Sequence, residues 1–151
     1  MPQLPTNCWW SLQPRYSMPD RTTYSDPLRR REVAATPEER VRQWFIGILE
    51  SVSGVPGHQM MSEVPLHYGS KTWRADIVVY GPGGRPVALA ECKRPDVTID
   101  GGTARQALRY SSLLPVKFIF LTNGSRTYVY ERGENGFGPR ADIPSYAEMS
   151  L

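Results

Sequence analysis

The chain has 151 residues and a formal net charge of +3 at pH 7, with 40% hydrophobic and 22% charged residues. These values indicate one soluble globular domain, with no second domain and no run of about 18 apolar residues that could cross a membrane. The mildly basic charge suits a polyanionic partner without requiring one, and the two cysteines, Cys8 and Cys92, exclude a disulfide framework and a zinc site.

The first 26 residues are the least regular part of the sequence. They are rich in Pro, Ser, Thr and Tyr without helical or strand periodicity, which predicts an extended arm over residues 1–26 and a globular domain over residues 27–151. They lack a basic stretch followed by an apolar core, so we expect no secretory signal and a cytoplasmic protein. The adjacent Trp9 and Trp10 predict that the arm docks on the domain or on a second subunit, which leaves a homodimer open.

The first predicted helix begins after Thr36, which is the expected N-cap, with Pro37 at the first helical position. Apolar residues at helical spacing predict that it continues to Ser53; they are Val41, Trp44, Phe45, Ile48, Leu49 and Val52. Glu38 lies near the edge of this apolar stripe, whereas Glu39 points away from it. Glu38 is therefore able to reach a site on a neighbouring sheet.

Two runs of apolar and β-branched residues, 74–80 and 87–93, are separated by the glycine-rich segment 81–84, and this pattern predicts an antiparallel hairpin. A turn centred between Gly83 and Gly84 fixes the register. The predicted facing pairs are Tyr80 with Val87, Val78 with Leu89, and Asp76 with Glu91.

This register gathers charged side chains on one small patch. Asp76 and Glu91 face each other, Lys93 projects to the same side as Glu91, and Cys92 faces the core. Two like charges in this position destabilise a sheet unless a cation lies between them, and a hard divalent ion such as Mg²⁺ is the usual solution. A cluster of surface ion pairs is the simpler alternative.

Further elements surround the hairpin. An edge strand with Pro65 is predicted over residues 61–68, a helix over 103–114, and a buried strand over 118–122. Because a strand–helix–strand connection is right-handed, residues 118–122 are expected to run parallel to the Glu91 strand.

The last predicted feature is a two-residue type I′ turn at Asn123–Gly124, leading into a strand over residues 127–130. The element order is then α-β-β-β-α-β-β. The fold class is α/β in the broad sense, with a central mixed sheet (α+β) flanked by helices.

The spacing of Asp76 and the Glu91-x-Lys93 segment resembles the PD-(D/E)xK nuclease superfamily. Gln106 and Tyr110 resemble the Gln-x-x-x-Tyr element of some branches of that superfamily. More specifically, residues 26–131 resemble the N-terminal domain of type I restriction enzyme R subunits in a short stand-alone form. The segments that carry this resemblance are Asp26–Arg29, Thr36–Gln43, Arg74–Asp76, Glu91–Lys93, Gln106–Tyr110 and Leu121–Gly124.

The resemblance implies a restriction-endonuclease-like αβββαβ core and a metal-dependent endonuclease that hydrolyses DNA. Asp76 and Glu91 would bind Mg²⁺ or Mn²⁺, with the Cys92 backbone carbonyl and Glu38 completing the oxygen shell, although the sequence leaves open whether Glu38 or Glu39 faces the metal. Lys93 would orient the attacking water or stabilise the transition state.

Supporting roles follow from the same resemblance. Gln106 and Tyr110 would position the Lys93 region or the DNA backbone. Arg74 has two alternative roles: it would contact a phosphate of the DNA, or it would neutralise the acidic patch.

The sequence ends at Leu151 and holds no helicase motor, so ATP-driven restriction is not implied for this chain alone. DNA is the expected partner, and a helicase or specificity subunit is a further one. The alternative hypothesis is a catalytically inactive nuclease-fold module that binds nucleic acid or a partner protein. Cleavage specificity and the form of the nucleic acid stay open.

Overall fold

The computed structural model of the protein describes residues 22–151. The eight strands are β1 (Thr23–Asp26), β2 (Arg31–Ala34), β3 (Met60–Tyr68), β4 (Lys71–Tyr80), β5 (Pro86–Cys92), β6 (Phe118–Thr122), β7 (Thr127–Gly133) and β8 (Gly136–Arg140). The three α-helices are α1 (Pro37–Ile48), α2 (Gly101–Arg109) and α3 (Tyr146–Met149). None of the helices within residues 22–151 is long and apolar enough to span a membrane.

The central sheet has six strands in the order β3-β4-β5-β6-β7-β8, and β1 and β2 form a separate two-stranded sheet. All neighbours in the large sheet are antiparallel except β5 and β6, which are parallel as predicted. Strand β3 lies at one edge, which also confirms the sequence prediction. The mixed sheet flanked by helices is therefore the predicted fold class.

Hydrophobic side chains cover both faces of this sheet. On one face, α1 contributes Val41 and Phe45 to a core with Ile77 and Phe120. On the other face, α2 and the segment that follows it contribute to a second core; its members include Ala104, Ala107, Tyr110, Val78, Leu89, Ile119 and Leu121. Strands β5 and β6 are buried from both sides, which explains their nearly continuous apolar sequence.

Helix α1 begins as predicted, because the Thr36 hydroxyl oxygen accepts a hydrogen bond from the Glu39 N–H at 3.1 Å. It ends before Gly54, as predicted, but its last turn has a different geometry. The α-helix stops at Ile48 and continues as a π-helical turn over Leu49–Ser53, after which Gly54 takes a left-handed φ of 75°. The wider π turn rotates the last residues, so Val52, predicted in the core, is 46% exposed.

The turn after β6 also differs from the prediction. Instead of a two-residue type I′ turn at Asn123–Gly124, a four-residue loop connects the paired residues Thr122 and Thr127. The Asn123 side-chain oxygen accepts the N–H groups of Ser125 and Arg126 and closes the loop from within. This local bonding of an Asn side chain competes with a tight hairpin turn.

Helix α2 begins two residues before the predicted start. Asp100 forms a capping box with Thr103, which allows Gly101 and Gly102 to form the first turn. The helix also ends earlier than predicted, at Arg109, and a 3₁₀ turn over Tyr110–Ser112 follows it.

Three strands were absent from the sequence prediction: β1, β2 and β8. Strand β1 covers Thr23–Asp26, which we had assigned to the end of the irregular arm, and its pairing with β2 places Asp26 at 1% exposure. Residues 1–21, with Trp9 and Trp10, lie outside the described residues, so the rest of the arm stays a prediction.

Candidate functional site

The predicted acid pair lies where β4 and β5 end their regular pairing. Val78 faces Leu89 as predicted, but a register shift after Val79 pairs Tyr80 with Pro86 instead of Val87. The recorded pairs stop at Ile77–Ala90, one position before Asp76 would face Glu91. There the Asp76 Oδ2 atom accepts the Cys92 backbone N–H at 2.7 Å.

Both acidic side chains are buried, Asp76 at 7% and Glu91 at 8% exposure. Lys93 lies on the predicted side, with its Nζ 3.6 Å from Glu91 Oε1. The other carboxylate oxygen, Glu91 Oε2, is buried without a hydrogen-bond partner. A buried carboxylate oxygen without a partner is costly, so this atom marks a position suited to a cation or a donor.

The electrostatics of the pair follow from burial. Burial and the nearby Asp76 raise the pKa of Glu91 to about 8, against the lowering effect of Lys93. Burial also raises the pKa of Asp76, although the Cys92 N–H and the Arg42 guanidinium oppose the rise. Burial is thus the main cause of both raised pKa values, and repulsion between the two carboxylates adds to the rise at Glu91.

Arg42 is the main cation beside Asp76, and the sequence analysis did not identify it. Its Nη2 donates to Asp76 Oδ1 at 2.9 Å, and its Nη1 lies 3.3 Å from Glu39 and 3.4 Å from Glu63. Its position four residues after Glu38, on the same helix, was the signal available in the sequence. The Arg42 guanidinium therefore supplies part of the positive charge beside Asp76 that the sequence analysis assigned to a metal ion alone.

The structure separates the two glutamates at the start of α1. The Glu38 side chain is 47% exposed and lies 3.9 Å from Arg42, and its charge contributes to the raised pKa of both Asp76 and Glu91. Glu39 is buried and accepts hydrogen bonds from Arg29 and Gln43. Glu38 is thus the one whose charge acts on the acid pair, whereas Glu39 joins the contacts to the β1–β2 hairpin.

The supporting residues differ in burial, and Gln106 and Tyr110 line the same concave surface. Tyr110 is buried beside the pair, and burial, Glu91 and Asp76 together raise its pKa to about 12. Gln106 is exposed on α2. The Arg74 side chain is 70% exposed and lies 3.9 Å from Glu63 on the edge strand β3. Cys92 packs its side chain in the core and contributes its N–H to Asp76.

The donor chemistry of the site fits a hard divalent cation in part. Asp76 and Glu91 supply carboxylate oxygens, and Glu91 Oε2 is free to coordinate. In the part of the chain that the structure describes, however, no three His, Cys, Asp or Glu side chains are gathered as a metal site. An ion at Asp76 would have to share that carboxylate with Arg42 or displace it.

Three comparisons relate this fold and site to known proteins. The chain is similar to a fragment of a putative HsdR subunit of a type I restriction enzyme from Vibrio vulnificus, with 20% identity and a TM-score of 0.56 over 74% of this chain. It spans only 24% of that protein's length. It also matches a putative nuclease from Anabaena variabilis with 14% identity and a TM-score of 0.48, covering 90% of each chain. No curated protein matches it.

The family comparison covers more of the chain. The family model described as type I restriction enzyme R protein N terminus matches residues 37–144, a range that contains Glu38, Asp76, Glu91 and Lys93. The similarity to the Vibrio fragment supports the same fold. The chain therefore belongs to the family of type I restriction enzyme R protein N-terminal domains.

Proposed function

We propose that this protein is a metal-dependent endonuclease that hydrolyses phosphodiester bonds in DNA, as part of restriction or a related defence. One observation carries the proposal. Asp76 and Glu91 are buried together, and one oxygen of Glu91 has no hydrogen-bond partner. Folded proteins maintain such a pair of raised-pKa carboxyl groups most readily where a function requires it.

Asp76 and Glu91 would bind Mg²⁺ or Mn²⁺, with Glu38 and the Cys92 carbonyl as further oxygen donors. The bound ion would supply Lewis acidity and a more acidic water. Lys93 Nζ, held near Glu91, would stabilise negative charge that develops on the phosphate. Tyr110 and Gln106 would hold the DNA strand or the Lys93 segment in position.

Arg42 would have two roles in this proposal. It fixes Asp76 through a hydrogen bond of 2.9 Å, and it lowers the electrostatic cost of the pair when no metal is bound. The same positive charge would oppose metal binding at Asp76. The protein would therefore bind a divalent ion with moderate affinity.

The proposal is tested by incubating the protein with supercoiled plasmid or linear single-stranded DNA in Mg²⁺ or Mn²⁺, with EDTA as a control. We expect metal-dependent cleavage by the wild-type protein and a loss of at least about 100-fold in Lys93→Ala, because the substitution removes a charge that stabilises the transition state. Arg85→Ala is the matched control, since Arg85 is an exposed cation at the far end of the β4–β5 hairpin. Cleavage retained by folded Lys93→Ala would contradict the assignment.

A second candidate function is a nuclease-fold module that binds DNA or a partner protein without cleaving. The observation that favours it is the Arg42–Asp76 hydrogen bond, which already satisfies one of the proposed metal ligands. This candidate predicts salt-dependent DNA binding that survives Asp76→Asn and Glu91→Gln, because phosphate contacts come from Lys and Arg. Absence of cleavage with intact binding would support it over the nuclease.

Because the chain belongs to this family, we propose DNA as its binding partner and other subunits of a restriction complex as its protein partners. We propose a helicase motor or a specificity subunit as the partner that would deliver DNA to this domain. A homodimer through the N-terminal arm stays a separate prediction, because Trp9 and Trp10 lie outside the described residues.

A further inference from the structure

A concave surface lies where the turn between β3 and β4 faces the end of α2. Its volume is about 620 Å³. The residues that line it include aromatic, amide and cationic side chains and no acidic one; those used below are Tyr68, Trp73, Tyr110, Lys71 and Arg109. We call this surface the aromatic groove.

The aromatic groove contains one exposed aromatic side chain and one packed pair of aromatic rings. Tyr68 is 69% exposed at the end of β3. Trp73 packs edge-on against Tyr110, with ring centroids 6.2 Å apart and planes at 77°. This packing fixes the Trp73 ring while Tyr68 is free to stack on a ligand.

The two cations that line the aromatic groove differ from several arginines among residues 22–151. Arg29, Arg42 and Arg140 are engaged in ion pairs with acidic side chains. Lys71 and Arg109 are exposed, and among the residues from 22 to 151 neither has an acidic partner. Their charges are therefore available to an anion from outside the chain.

The groove leads toward the acid pair. Tyr110 lines the groove and is near enough to Glu91 and Asp76 for their charges to help raise its pKa. A chain held in the groove would thus extend to the carboxylates.

We propose that the aromatic groove binds an unpaired segment of a DNA strand, with a base stacked on Tyr68 and phosphates beside Lys71 and Arg109. This inference rests on the proposed nuclease function and specifies its substrate as single-stranded DNA or a frayed end. An exposed aromatic ring beside cations that have no acidic partner suits single-stranded nucleotides. The bases inside a duplex are covered on both faces by their neighbours and cannot stack on such a ring.

The test is a titration of a labelled oligodeoxythymidine of about 12 nucleotides, a length within the range that single-strand sites cover, followed by fluorescence anisotropy in EDTA. EDTA prevents metal-dependent cleavage, so binding is measured by itself. The test variants are Tyr68→Leu and Arg109→Ala. Tyr68→Phe keeps the ring and Arg85→Ala removes a cation elsewhere, so these two are the matched controls, and circular dichroism verifies that all four are folded.

We expect Tyr68→Leu to weaken binding about tenfold and Tyr68→Phe to bind as the wild-type protein does, because stacking needs the ring and not the hydroxyl. Arg109→Ala should reduce the slope of log affinity against log salt by about 0.7, the value for one phosphate contact on a single strand. A duplex of the same length should bind more weakly.

Three results would overturn the proposal: no binding of the oligonucleotide, equal or tighter binding of the duplex, or wild-type affinity in both Tyr68→Leu and Arg109→Ala. The plasmid cleavage assay separates this failure from a failure of the nuclease. Metal-dependent cleavage without oligonucleotide binding in the groove would contradict only the groove proposal. Oligonucleotide binding in the groove without any cleavage would contradict only the nuclease proposal.

Discussion

Glu91 is a buried acidic residue at the centre of the candidate site. Its carboxyl group is buried, its Oε2 atom has no hydrogen-bond partner, and its pKa is raised to about 8. In the unfolded chain the same group titrates near 4.5. The folded protein therefore holds a proton between these two pH values that the unfolded chain has released.

This difference predicts how stability depends on pH in a metal-free buffer. Because the folded state binds more protons than the unfolded state between pH 4.5 and about 8, the free energy of unfolding should fall as pH rises through this range. Glu91→Gln removes the titrating group. The free energy of unfolding is measured with urea at pH 5.5 and pH 8.5. Between these pH values it should fall by on the order of 3 kcal/mol more in the wild-type protein than in Glu91→Gln.

The control for that comparison is Glu50→Gln, which changes an exposed carboxylate and should follow the wild-type pH dependence. If Glu91→Gln and the wild-type protein lost stability in parallel between the two pH values, Glu91 would not carry the proposed proton. The buried acid pair would then lack its electrostatic basis.

At the scale of elements, the site depends on how α1 is joined to the sheet. Arg42 connects the helix to Asp76 on β4 and to Glu63 on the edge strand β3. The β1–β2 hairpin supports this junction from the other side, because Arg29 bonds both Asp26 and Glu39. Burial opposes the lowering of the Asp26 pKa, but the hydrogen bonds from Arg29 and Leu28 outweigh it.

Replacing Arg42 should therefore have two opposite effects. Arg42→Gln should destabilise the protein by ~3 kcal/mol, because it leaves buried carboxylates without their cation. The same change removes the charge that opposes a metal ion at Asp76. In thermal unfolding, Mg²⁺ should raise the Tm of Arg42→Gln by more degrees than that of the wild-type protein.

Arg40→Gln, on the same helix but in no ion pair among residues 22–151, serves as the control and should respond to Mg²⁺ as the wild-type protein does. An equal Mg²⁺ shift in all three proteins would contradict the placement of a metal ion beside Asp76. It would instead make the Arg42–Asp76 pair a purely structural contact.

The features that could be predicted are those that depend on residues close together in the sequence. Alternation of side chains in β4 and β5 placed Val78 opposite Leu89 and gathered Glu91 and Lys93 on one side. The Arg42–Asp76 bond joins residues 34 positions apart, and no local pattern specifies it. The short strands β1 and β2 were missed for a similar reason, since their four-residue sequences lack the apolar alternation that marks a strand.

At the scale of the whole molecule, the sheet with its two covered faces holds the acid pair at one place and the aromatic groove next to it. The family match spans residues 37–144 and includes both surfaces. On the functions proposed above, the groove would bind a nucleic acid strand and the acid pair would act on it.

The central claim is that Asp76 and Glu91 form a divalent metal site, and calorimetric titration of the metal-free protein with Mn²⁺ at pH 8 tests it most directly. We predict one saturable site in the wild-type protein and in Glu50→Gln. Binding should weaken at least about tenfold in Asp76→Asn and in Glu91→Gln, since each loses a carboxylate ligand. Equal Mn²⁺ affinity in all four proteins, or no saturable binding in the wild-type protein, would contradict the account.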